Sequence, residues 1–72
     1  MGEGNQTVRR VIRHKQSGLY LTQAGGWTAD LDQAHHLPSV VSGVRMSRTL
    51  ELTNVELILK FPGGNYDVRL DL

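Results

Sequence analysis

The sequence predicts an α+β domain: two β-hairpins, with an additional short strand near Trp27, forming one antiparallel sheet with a single α-helix on one face. The element order is ββ(β)αββ. Three observations predict this. Near the C-terminus, "VELILKF" and "YDVRLDL" each alternate apolar and polar residues around the loop "PGGN", as half-buried strands do. Near the start, "TVRRVIRH" and "LYLT" flank "KQSG". Between these pairs, "PSVVSGVRMSRTLEL" gathers apolar and small residues on one side at helical spacing. A helix laid on one face of such a sheet buries its stripe together with the inner residues of both hairpins.

Residues 1–6 read as a disordered tail and residues 7–72 as a single small domain. In the first hairpin, Gly18 suits the left-handed position of a short bulged loop. Val11 and Ile12 are adjacent and point to opposite faces, which an edge strand tolerates; its arginines would discourage stacking against another sheet. Gly25 and Gly26 allow a reversal, after which Trp27 and Thr28 form the short third strand. Thr28 or Asp30 can cap one helical turn, turning Leu31 and Ala34 inward, with small Ala34 seated under the helix.

The helix starts at the N-cap Ser39, just after Pro38. Val40, Val44, Met46 and Leu50 fall on its inner face with Gly43 and Ser47, while Ser42, Arg45 and Thr49 lie opposite. Gly43 costs about 1 kcal/mol relative to Ala in a helix interior, so its presence implies close approach to the sheet. Asn54 stops the helix ahead of the next strand. In the last hairpin, Phe61 faces Tyr66, Lys60 faces Asp67, Ile58 faces Arg69 and Glu56 faces Asp71. The last pairing sets like charges opposite each other, so a slipped register or splayed strand ends compete with it. This register is preferred because it gathers both apolar faces on one side.

Composition narrows the function. A chain of 72 residues buries only about 60% of its unfolded surface, and with no cysteine neither a disulfide nor a thiolate metal site can reinforce it. No apolar run approaches the roughly 20 residues of a membrane span, and "MGEGNQT" lacks the features of a signal peptide. Gly2 is followed by Gln at position 6, where a myristoylation motif has Ser or Thr. The expected location is cytoplasmic. Eight basic and seven acidic residues give a net charge of +1, which is no bulk nucleic-acid signature. The charges are nonetheless segregated: Arg9, Arg10, Arg13 and Lys15 occupy an acid-free stretch, whereas Glu51, Glu56, Asp67 and Asp71 lie in the final third.

The segment 18–37, "GLYLTQAGGWTADLDQAHHL", holds the side chains that could carry chemistry. Trp27 is an exposed anchor or stacking platform in one reading. In the favoured one it is a core or rim residue whose indole N–H bonds to backbone, adding up to about 250 Å² of contact area. Tyr20 is read the same way. Asp30 and Asp32 lack the glycine and terminal Glu of a calcium loop. His35 and His36 are neighbours that an extended chain points apart, and no i, i+4 His pair exists; His14 has no assigned role with either. One of the pair is expected against the helix start and the other in water. No metal or cofactor is expected. No nucleophile–base constellation, nucleophile elbow or phosphate loop is present, so the chain reads as a non-enzyme.

The pattern Gly18-Leu19-Tyr20-Leu21, Gly26-Trp27-Thr28, Asp32, Ala34 and Leu37 ahead of a helix resembles a loosely defined class of small uncharacterised bacterial and phage-borne proteins. The resemblance spans about residues 8 to 52. It implies the same strand–helix organisation and a phage or mobile-element setting, but no activity, because the class shares none. "VVSGV" departs from the Glu- and Ala-rich helix of that class.

Three functions follow as expectations. The first is a non-enzymatic interaction module for an unknown protein partner, a second copy of the chain included, with Tyr66, Val68, Leu70 and Leu72 as interface residues on an edge open to strand addition. The second is nucleic-acid binding through Arg9, Arg10, Arg13 and Lys15, joined by Arg45 and Arg48, with a steep salt dependence. The third is a small inhibitor of a host protein.

Overall fold

The computed structural model describes residues 8–63 and 67–72. Five strands form one antiparallel sheet: β1 (Arg9–His14), β2 (Tyr20–Leu21), β3 (Trp27–Thr28), β4 (Val55–Lys60) and β5 (Asp67–Asp71). Their spatial order is β3-β2-β1-β4-β5. A 3₁₀ turn, Leu31–Gln33, and one helix, α1 (Val40–Thr49), lie between β3 and β4. The predicted α+β class and element order hold.

The last hairpin takes the predicted register, with Lys60 opposite Asp67, Ile58 opposite Arg69 and Glu56 opposite Asp71. The expected Phe61–Tyr66 pairing lies outside the described residues. Gly18 has φ +76°, the left-handed conformation expected of it, and the loop closes with Gly18 N–H donating to His14 O and His14 N–H to Leu19 O.

The first strand is not an edge. β1 pairs with β4 over its whole length, from Arg9 opposite Lys60 to His14 opposite Val55, and with β2 on its other side. Adjacent Val11 and Ile12 are both buried because both faces of the sheet are covered. On one face, Ile12, Leu21, Val55 and Leu57 pack with Leu37, Met46 and Leu52 beneath α1. On the other, Val11 and Ile58 pack with Ala34, Tyr20 and Leu31. Ala34 therefore sits on the face opposite the helix rather than under it, and Ile58, which alternation pointed outward, is buried.

The segment after the 3₁₀ turn supplies this second cover. Thr28 Oγ1 accepts from Asp30 N–H and Asp30 Oδ1 accepts from Asp32 N–H, so both proposed caps act. The chain then passes through the wedge where β2 parts from β1. His35 N–H donates to Leu21 O and Leu37 N–H to Arg10 O, each at 2.8 Å. Ala34 is left on one face and Leu37 on the other.

Ser39 caps α1, its Oγ accepting from Ser42 N–H at 3.1 Å. Gly43 and Ser47 form the buried line of the helix, with Ser47 Oγ donating to Val44 O. Val40 and Leu50, predicted inward, are exposed, because two small residues bring the backbone itself down onto Leu57 and Leu37. The helix ends before Asn54. Glu51 adopts φ +55°, its N–H donates to Arg48 O, and Leu52 N–H donates to Ser47 O. This is a Schellman stop with Glu51 where glycine is usual. Asn54 has φ +58° and redirects the chain into β4.

Candidate functional site

The four cations of the basic stretch do not form one patch. Alternation along β1 sends Arg9 and Arg13 to the face opposite the helix and Arg10 to the helix face, and Lys15 lies past the strand end. Three of them hold carboxylates: Arg9 with Asp32 at 3.6 Å, Arg13 with Glu56 at 2.9 Å and Lys15 with Asp71 at 2.8 Å. Their partners explain the register. Glu56, buried in the interior strand β4, stands opposite Asp71. Arg13, directly across β1 from Glu56, neutralises the first carboxylate and Lys15 reaches the second. Lys60, opposite Arg9, turns instead to Asp67 at 2.9 Å. The basic start and acidic end of the chain are thus complements across one sheet. Neither the slipped register nor the splayed end is needed.

The Lys15–Asp71 pair lies at the surface. The hydrogen bond from Lys15, followed by its charge, lowers the Asp71 carboxyl below its ordinary 3.8. The same hydrogen bond raises the Lys15 ammonium above its ordinary 10.5.

Residues 18–37 contribute β2, β3, the 3₁₀ turn and cover for both faces of the sheet. Trp27 is a rim residue, 38% exposed, whose ring meets His14 edge-on at 5.6 Å; it is not in the core. His14 Nδ1 accepts from Ser17 N–H at 3.2 Å, which tightens the first hairpin loop. Tyr20 covers the second core. His35 is half-buried and His36 exposed. Among the described residues no three His, Asp or Glu side chains converge as a metal site would require. No helix among them is long and apolar enough to cross a membrane.

The open feature is the β5 side of the molecule. Helix α1 packs on β1 and β4 and leaves β5 largely uncovered. Leu70 stands opposite Leu57 and Val68 opposite Leu59, so Val68, Leu70 and Leu72 share the helix face. Leu70 and Leu72 are 37% and 38% exposed. A groove of about 480 Å³ runs from Leu72 and Asp71 to Val44, Ser47 and Leu52 on the helix side. On the opposite face a polar hollow of about 360 Å³ lies between Arg13, Tyr20, Ile58 and Arg69. Tyr66, the fourth interface residue expected from sequence, lies outside the described residues. The exposed Val40, Val41 and Leu50 were not among those expected, because periodicity assigned Val40 and Leu50 to the core.

No family model, no curated protein and no solved structure matches this chain.

Proposed function

We propose that this protein is a non-enzymatic interaction module that receives another polypeptide along the β5 edge. The observation that carries this reading is a five-residue edge strand in which Leu70, and Leu72 directly after it, stay more than one-third exposed on the helix face. Single exposed apolar residues are ordinary. Here two lie on one open strand beside a groove, where an added strand gains main-chain hydrogen bonds and apolar contact together. A cytoplasmic location belongs to this reading, as does the phage or mobile-element setting implied by the resemblance. Inhibition of a host protein would be one use of the same edge.

Nucleic-acid binding by Arg9, Arg10, Arg13 and Lys15 has less support, since three of the four are ion-paired and the set spans both faces. A gel shift at low salt tests it directly.

The edge reading is tested by amide exchange. Leu72 N–H donates to Val55 O at 3.4 Å, so the backbone groups of Val68, Leu70 and Leu72 face β4 and those of Arg69 and Asp71 face outward. In ¹⁵N-labelled protein at low concentration, the Arg69 and Asp71 amides should exchange freely and become protected in a bacterial cytoplasmic extract. Unchanged exchange at both positions, in extract and at millimolar concentration of the protein alone, would remove the reading.

A further inference from the structure

Resting on that edge reading, we infer that the strand added to β5 is β5 of a second copy, antiparallel about a two-fold axis at Leu70. The geometry allows few registers. With the Arg69 and Asp71 backbone groups directed outward, two copies can pair about Val68, Arg69 or Leu70. An axis at Arg69 sets the two arginines against each other and Asp67 against Asp71, which like-charge repulsion disfavours. An axis at Val68 matches Arg69 with Asp67, which holds Lys60 at 2.9 Å with a side chain 41% exposed, half the exposure of Asp71. It also sets Asp71 and Leu72 across from residues outside β5.

An axis at Leu70 uses every feature of the edge. Arg69 of each copy pairs with Asp71 of the other, exchanging both backbone hydrogen bonds and opposing a guanidinium to a carboxylate. Arg69 is exposed and has no carboxylate partner among the described residues. Asp71 binds Lys15 through Oδ1 while its side chain remains 82% exposed, leaving room for a second cation. On the helix face, Leu70 meets Leu70 and Val68 of each copy meets Leu72 of the other, forming one apolar row across the junction. The other sheet edge, β3, has only two residues and offers no comparable template.

The pairing buries little surface, which places it among weak, concentration-dependent associations. Sedimentation equilibrium of the full chain from micromolar to millimolar concentration should show the mass rising from 8.0 kDa toward twice that value. Arg69→Asp opposes two acids at each pair and Asp71→Arg opposes two bases. Each alone should weaken self-association at least about tenfold. Mixed in equal amounts, the two variants should restore association as a heterodimer, because each pair is again acid against base. Circular dichroism checks that both variants fold. In the unmodified chain, protection of the Arg69 and Asp71 amides that grows with concentration gives a readout needing no variant.

A chain that stays at 8.0 kDa at millimolar concentration overturns the inference. So does a dimer indifferent to Asp71→Arg, or variants that fail to complement. A monomer whose Arg69 and Asp71 amides are protected only in extract overturns the second copy while leaving the edge reading intact. Absence of protection in both settings removes both.

Discussion

Gly43→Ala separates two accounts of the helix by the sign of its effect. In a solvent-facing helix position this change stabilises by about 1 kcal/mol, because alanine has the higher helix propensity. Here a Cβ would lie 2.9 Å from Leu57 Cδ1 and 3.2 Å from Leu37 Cδ1, inside the roughly 3.5–4.0 Å of comfortable carbon contact. Leu57 is fully buried and Leu37 nearly so, so neither methyl can retreat without displacing its neighbours. Overpacking of this kind costs about 1–3 kcal/mol. Set against the propensity gain, the net expectation is a loss of about 1 kcal/mol, which lowers the Tm of a domain this size by about 4–8 °C. Thermal and urea unfolding followed by circular dichroism measure it. Leu57→Val removes the nearer of the two crowding methyls, so Gly43→Ala/Leu57→Val should be less destabilised than the sum of the singles by about 0.5 kcal/mol or more. A Gly43→Ala variant several degrees more stable than the parent would refute the close approach of helix and sheet.

Three further outcomes are expected. Ile58→Ala should cost about 2–5 kcal/mol, enough to unfold much of a domain this small; a loss below about 0.5 kcal/mol, as for a surface site, would mean the second face is not a core. Glu51→Gly should raise stability by up to about 1 kcal/mol by relieving a side chain held at φ +55°, and a fall in Tm would argue against the left-handed stop. The Asp71 carboxyl should titrate below 3.8 by NMR and return toward that value in Lys15→Ala. Its folded-state value being the lower one, its contribution to stability is present above the ordinary carboxylate value and fades as pH falls through the depressed one. The raised Lys15 ammonium contributes below its ordinary value, and that contribution fades as pH climbs through the raised one. An Asp71 midpoint indifferent to Lys15→Ala would remove the pair.

The local elements were legible in the sequence because local rules govern them. Alternation set the β4–β5 register down to Lys60 opposite Asp67, Ser39 marked the helix start, and Gly18 marked the first loop. Strand order was not legible, because nothing near Val11 and Ile12 states that β4 lies beside them. That pairing joins residues 46 positions apart on average, such as Ile12 with Leu57. Once β1 is central, adjacent buried residues cease to be an anomaly. The burial of Ile58 and the placement of Ala34 share this origin. Both depend on the wedge through which residues 34–37 change faces, a tertiary event that periodicity does not record. The edge leucines were recognisable as strand residues needing cover; the missing fact was that α1 would stop short of them. The basic stretch misled for a related reason, since two of its three acids, Glu56 and Asp71, lie in strands that sequence distance kept apart and the third, Asp32, lies in the 3₁₀ turn.

The central position of β1 also sets a timetable for a growing chain. Its main neighbour is synthesised some forty residues later, so Val11 and Ile12 leave the ribosome with nothing to lie against. Such distant closure makes for slow, late assembly. A molecule cut short before Val55 would keep its first hairpin and helix signals, yet lack the ribbon on which both depend.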